Sequence, residues 1–141
     1  MMNRIFSGVT MIVMVLLSLT GCETDNKTLL TDGVWKFSNM TTDSEDQDII
    51  AWVTLGKAIL TDGTLEFKTD QSYILTAPLL EDPETGTWSL VGEDQLILDS
   101  DGDLGSTANI ETLSKKELKY IETFVDAGMN SYSVTTSWSR D

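Results

Sequence analysis

The chain contains no histidine, and one cysteine stands among its 141 residues. Without imidazole there is no Ser-His-Asp or Cys-His nucleophilic site, and with so little cysteine there is no Cys/His zinc cluster. Basic residues are scarce as well: nine Lys and Arg face 23 Asp and Glu, a formal charge of −14. A polyanion without a basic patch does not hold a phosphate backbone, so nucleic acid is excluded as a partner. A Gly-rich phosphate loop is also missing, and no carboxylate pair is spaced to select glycoside hydrolysis. Carboxylates, tyrosines, lysines and hydroxyls are left for catalysis, and nothing in the spacing brings two of them together. A non-enzymatic protein without a cofactor is expected. With 40% hydrophobic and 8% aromatic residues, the chain has material for a single folded domain.

The longest uncharged apolar run comes first. Arg4 gives a short cationic start, and fifteen positions from Ile5 to Leu19 then carry no charge. A membrane-spanning helix needs about 20 apolar residues, whereas the core of a secretory signal needs about 7–15. The run stops in Leu19-Thr20-Gly21-Cys22, which resembles the bacterial lipobox cleaved by the lipoprotein signal peptidase. That resemblance implies removal of residues 1–21 and a diacylglycerol thioether on Cys22. It also implies a membrane partner, in an envelope lipoprotein of the outer membrane facing the periplasm or the surface. The alternatives are a plain secretory signal with an unmodified thiol, or an uncleaved anchor. Loss of Arg4 leaves eight bases against 23 acids, net −15. A chain so charged is not expected to lie on anionic lipid. Residues 22–28 read as the lipidated Cys and a polar tether, and residues 29–141 as the folded domain. Glu23-Thr24-Asp25 is a diluted likeness of the acidic surface-export signals of some bacteria. The Asn-x-Thr triplets at Asn26 and Asn39 imitate glycosylation acceptors and read as coincidence beside a lipobox.

From Leu29 onward the apolar period is two, the mark of half-buried antiparallel strands. Trp35, Phe37 and Asn39 share one face of the first run. Leu65 with Phe67, and Tyr73 with Leu75, flank a Thr69-Asp70-Gln71 turn; Trp88 with Leu90, and Leu96 with Leu98, flank Glu93-Asp94. Ala108 with Ile110 mark a sixth run, and Leu118, Tyr120 and Phe124 a seventh. Tyr132, Val134, Thr136 and Trp138 share a face of the eighth. One segment breaks the rule: Ile49, Trp52, Val53, Gly56, Ile59 and Leu60 recur at helical spacing. Ser44 with Gln47 offers a capping box for this helix, and Asp62-Gly63 a stop.

Sequential strands joined by short turns remove their edges by closing into an up-and-down barrel. The expected fold is therefore all-β and mainly antiparallel: an eight-stranded up-and-down barrel with one helix between strands 1 and 2. The order of Gly33-Val34-Trp35, a helix, Thr64-Leu65-Glu66-Phe67, Gly86-Thr87-Trp88 and Leu96-Ile97-Leu98 resembles the small bacterial lipocalin-like domains across roughly residues 29–139. That resemblance implies a cavity for a small hydrophobic or amphipathic molecule. It also implies a basic residue from the final strand set across the opening Trp, for which Arg140 is the local candidate. Gln71 stands where such domains usually carry a turn Gly, and the chain is short for a lipocalin.

Trp35, Phe37, Phe67, Tyr73, Trp88, Tyr120, Tyr132 and Trp138 are candidates for core or cavity wall, with plain core the default. Phe124 aside, this face holds sixteen large residues, which could fill so small a barrel and leave an interaction scaffold acting through its acidic surface. Strict alternation points Glu122 inward, a candidate polar anchor for a ligand, against the alternatives of a bulge or a strand end at the mouth. Trp52, Leu79 and Leu80 are candidates for the mouth; the two leucines sit between Pro78 and Pro83, where they gate a pocket, meet a partner or are simply exposed. Asp99, Asp101 and Asp103 open like a calcium loop, but Leu104 and Ile110 occupy the positions of its turn Gly and bidentate Glu. No metal site is expected there beyond weak calcium binding.

Overall fold

A computed structural model describes residues 25–101 and 105–141. Eight strands run through it: β1 (Val34–Thr42), β2 (Thr64–Phe67), β3 (Ser72–Thr76), β4 (Glu84–Val91), β5 (Gln95–Ser100), β6 (Ser106–Leu113), β7 (Glu117–Val125) and β8 (Ser131–Ser139). Each pairs antiparallel with the next, and β8 pairs back onto β1 to close the ring. This is the closed up-and-down barrel that the period-two pattern predicts. All sixteen large residues assigned to one face are buried or partly buried. Two helices accompany the strands, α1 (Asn26–Thr31) before β1 and α2 (Gln47–Leu60) between β1 and β2.

Because the strands alternate in direction, the connections sort to two ends. Helix α1 and the β2–β3, β4–β5 and β6–β7 turns gather at one, the sealed end. The α2 connection and the β3–β4, β5–β6 and β7–β8 links gather at the other, the mouth. The sealed end is built around Trp35, which is fully buried. Its indole Nε1 donates to the Leu30 carbonyl at 3.0 Å, and the Arg140 guanidinium lies 3.9 Å above its ring. Arg140 Nε donates to the Lys115 carbonyl, and the Arg140 backbone N–H to that of Lys116 at 3.0 Å. The first strand, the sixth turn and the chain end are thus tied at one point.

Helix α1 begins within the segment expected to be a tether. Asp25 caps it, Leu29 and Leu30 are buried beneath the barrel, and Asn26 Nδ2 donates to the Glu93 carbonyl at 2.6 Å. The start of α2 also differs from expectation. Asp46, not Ser44, is the N-cap, its carboxylate accepting from the backbone of Asp48 at 2.8 Å and of Ile49 at 3.4 Å. Gln47 turns back to the Glu45 carbonyl, so no capping box forms. A carboxylate at the N-cap satisfies the orphan N–H groups and meets the positive helix end with a full charge, which a serine hydroxyl cannot do. At the other end Asp62, at φ 60°, takes the left-handed position. Gly63 is needed for space: a Cβ there would lie 2.6 Å from the Leu60 carbonyl oxygen.

Gln71 occupies the β2–β3 turn at φ 70°, the region that favours glycine. Its N–H reaches the Lys68 carbonyl at 3.0 Å and its carbonyl accepts from Trp88 N–H at 2.8 Å, so the turn geometry is fixed on both sides while the side chain is exposed. Gln71→Gly is expected to raise stability by about 0.5–1 kcal/mol, since it removes the left-handed Cβ penalty and only part of the gain is lost to added chain entropy. A higher urea midpoint with an unchanged slope would show this; a lower midpoint would show that the Gln side chain contributes more than its backbone costs.

Candidate functional site

Side-chain size divides the interior. Toward the sealed end Trp35, Phe67, Trp88, Leu96 and Leu118 fill the barrel, with Phe67 and Trp88 packed edge to face at 5.6 Å. Toward the mouth the inward positions of β4, β5 and β6 carry Gly86, Ser100, Ser106 and Ala108. These residues are too small to meet across the ring, and a cavity of about 390 Å³, lined in part by Ser100 and Ser106, opens at this level. Its walls are Leu65, Leu75, Leu98 and Trp138; Tyr73, Tyr120, Ser100, Ser106, Glu84 and Glu122 add polar atoms, and Trp52 of α2 with Phe124 of β7 form a rim. Trp52 and Phe124 meet edge to face at 6.2 Å, and Phe124 stacks on Tyr132 at 5.5 Å. Gly86 has a positive role: a Cβ there would collide with the Asp99 carbonyl oxygen and lie 2.7 Å from Ser100 Cα and 2.8 Å from the Tyr73 ring, so its absence lets β5 and Tyr73 close onto β4.

Two carboxylates face this cavity. Tyr73, buried, donates its hydroxyl to Glu84 Oε1 at 2.9 Å. Desolvation, then the bond to Glu84, push the Tyr73 phenol well above the usual tyrosine range. Tyr120 is pushed up likewise by burial and then by the charge of Glu122, and its oxygen accepts from Trp138 Nε1 at 3.3 Å. Both phenols are therefore neutral donors at any physiological pH. Glu122 pairs in unbroken register with Ala108 on β6 and Val134 on β8, so alternation carries it inward. The register shift of β6 lies elsewhere, between Ile110 and Thr112. Desolvation holds the Glu122 carboxyl above its usual range; a hydrogen bond from Ser106 opposes this and the charge of Glu84 adds to it. The carboxyl keeps some accessible surface because it faces the cavity, although protein surrounds it.

The sequence candidates therefore separate. Tyr73, Tyr120, Glu122, Trp138 and Trp52 come together around the cavity. Trp35, Phe67 and Trp88 belong to the packed half, and Phe37 sits edge to face with Trp138 at 5.5 Å. Tyr132 stands behind Phe124 rather than in the wall. Leu79 and Leu80 lie at the mouth end but do not line the cavity, and Leu79 is exposed. Asp99 is exposed on the outer face of β5, while Asp101 accepts from Thr85 Oγ1 at 2.8 Å; among the described residues no three acidic or thiol groups converge as metal ligands. Asp103, Leu19, Thr20, Gly21 and Cys22 lie outside the described residues. Sequence reasoning missed Glu84, Ser100, Ser106 and Phe124 as cavity residues. Glu84 shares its strand face with Gly86 and Trp88, but a charge followed by a glycine hides an inward face.

A larger groove of about 690 Å³ lies outside the sealed end, between α1 and the turns at Glu93 and Lys115. It is open to solvent and bordered largely by exposed polar side chains, so it offers little desolvation to a ligand.

A closed eight-stranded barrel, sealed at one end and hollow at the other, defines a cup-shaped binding fold. The chain matches the family model described as "Lipocalin-like domain" over residues 31–120, and it belongs to that family. No curated protein sequence matches it. Among solved structures it is similar to a deswapped triple mutant of bovine odorant binding protein, at 12% identity and a TM-score of 0.50, covering 77% of this chain and 72% of that one. It is also similar to a DUF4847 family protein from Bacteroides vulgatus, at 12% identity and a TM-score of 0.46, covering 76% of this chain and 93% of that one. At such identity the likeness to odorant binding protein is one of fold.

Glu122 has a measurable consequence for stability. A carboxyl whose native pKa lies above its unfolded value favours folding most at acid pH, and that contribution is lost as pH rises through the native pKa. Glu122→Gln should therefore match the parent near pH 4 and exceed it at pH 7, with the gap opening above the ordinary value of 4.5. Urea midpoints across pH 4–8 would test this; a variant less stable than the parent at pH 7 would mean that the carboxylate is needed in its charged form.

Proposed function

We propose that this protein is a lipid-anchored envelope lipoprotein whose barrel binds a small hydrophobic or amphipathic molecule. One observation carries the binding role: the inward positions shrink to Gly86, Ser100, Ser106 and Ala108 toward the mouth, and a cavity of about 390 Å³ is left under an aromatic rim. Ligand pockets begin at about 300 Å³ and combine apolar walls with a few polar groups, as this one does. The fold is also one that binds small hydrophobic ligands. The role is binding rather than catalysis, a view supported by the lack of histidine in the sequence.

The anchor rests on the Leu19-Thr20-Gly21-Cys22 motif, and one feature of the fold agrees with it. The described chain starts at Asp25, at the sealed end. Three residues reach at most roughly 10 Å, so a lipid on Cys22 would hold the sealed end near the bilayer and turn the mouth away from it. Labelled palmitate is expected to enter the wild-type protein in its native host and not Cys22→Ser, which should leave the membrane fraction; equal labelling of both would remove the anchor. Native mass spectrometry of protein taken from its own envelope is expected to show one small molecule per chain. A bare mass, with no small molecule taken up on soaking, would shift the role to the acidic surface and the exposed Leu79 loop as a contact for other proteins.

A further inference from the structure

The charge of the barrel is unevenly placed. The connections at the mouth, residues 43–63, 77–83, 101, 105 and 126–130, carry nine acids and one base, Lys57. Those at the sealed end, residues 25–33, 68–71, 92–94, 114–116 and 140–141, carry six acids and five bases. A cleft rimmed by one sign of charge over low-dielectric walls focuses its field and draws in ligands of the opposite sign. The cavity under this mouth is lined by Glu122 within and by Glu84 at its exposed edge, and no Lys or Arg is among its lining residues.

Resting on the binding role proposed above, we infer that the cavity selects amphipathic cations: small molecules with an ammonium or amidinium head on an apolar body, the head seated at Glu122 and Glu84. Burial of a carboxylate is costly unless a partner is present, and among the described residues Ser106 alone donates a hydrogen bond toward Glu122. An organic cation supplies the missing charge and N–H donors at once. Glu84 already accepts from Tyr73 and keeps a second oxygen for the ligand. The apolar body then lies along Leu65, Leu75 and Leu98, and Trp52 and Phe124 close over it. Aromatic faces add attraction for a cation passing the rim. A bare divalent ion fits poorly, since among the described residues no third carboxylate joins these two. An anionic amphiphile meets like charge at the rim and again inside. Around Glu122 the facing groups are Ser106 and Ala108 on β6, Val134 on β8, Tyr120 on its own strand and Glu84 across the cavity, so among the described residues no cation competes for it.

Three probes of one chain length separate the possibilities: octylammonium, 1-octanol and octanoate, titrated into the full-length protein at pH 7.5 by calorimetry and by the fluorescence of Trp52 and Trp138. Octylammonium is expected to bind at least about tenfold more tightly than octanol, with octanoate weakest. Glu122→Gln should bring the ammonium-to-octanol ratio close to one, and Glu84→Gln should lower it in part. Octanol or octanoate binding as tightly as octylammonium would overturn the cation preference and leave the binding role intact. No binding of any probe would overturn the cavity as a site for small amphiphiles, and the preference with it. An undiminished ratio in the Glu84→Gln, Glu122→Gln double variant would overturn the assigned seat. Because Glu122→Gln is expected to be at least as stable as the parent at this pH, its loss of preference will not reflect unfolding.

Discussion

The molecule depends on one knot, where Trp35 joins helix α1 to Arg140 at the end of β8. The indole N–H is spent on the Leu30 carbonyl and its face is covered by Arg140, so a large amphipathic ring is buried with its polar atom satisfied. Helix α1 is too short to hold itself together in water and is fixed in place by this contact and by the burial of Leu30. Arg140 is held in turn by the Lys115 and Lys116 carbonyls, which pins the β6–β7 turn to the same spot. Closure of β8 on β1 thus has a side-chain lock at one end as well as its backbone ladder. The guanidinium is not fully satisfied: Arg140 Nη1 and Nη2 are buried without a hydrogen-bond partner among the described residues, and desolvation holds its pKa below the usual range. Burial of this arginine is tolerated because the ring of Trp35 offers its negative face.

A plug at one end leaves freedom at the other. An eight-stranded barrel has room for side chains or for one small ligand, and here the two outcomes share one interior. Where inward residues are Trp, Phe and Leu the space is filled, and where they are Gly, Ser and Ala it is not. Rigidity comes from the filled half, so the hollow half is shaped by a frame that does not depend on its contents. The polar atoms of the cup are held by that frame: Tyr120 through Trp138, and Glu84 through Tyr73.

Much of this was legible in the sequence because a half-buried strand writes its geometry as alternation. Trp35 and Phe37, Leu65 and Phe67, and Val134 and Trp138 announce both strand and face, and eight such runs with short turns leave closure as the natural solution. Three features were hidden for identifiable reasons. Helix α1 has six residues, shorter than any period can reveal, and its Asn-Lys-Thr opening has the composition of a linker. The cap of α2 fell between Ser44 and Asp46, both able residues, and only the backbone decides which of them faces the free N–H groups. The cavity was hidden because it is made by absence. The inward face of β4 reads Glu84, Gly86, Trp88, and alternation detects large apolar residues while passing over a glycine that lets the β5 backbone and a tyrosine ring approach. Inward Glu122 was visible, but only the unbroken β7 register shows that no bulge turns it out.

The acids at the mouth are not demanded by the fold. The sealed end joins the same strands through helix α1 and shorter turns, and it folds with acids and bases nearly in balance. Some of the mouth acids have local work: Asp46 caps a helix, Asp101 is held by Thr85, and Asp126 accepts from the Asn130 backbone at 2.9 Å. Asn or Ser performs each of these tasks without net charge. Like charges gathered at one end repel one another and weaken the compact state, while the field they create reaches about a Debye length into solvent. The excess therefore makes physical sense as a property of what approaches the mouth, and it has the same sign as Glu122 inside the cavity and Glu84 at its edge.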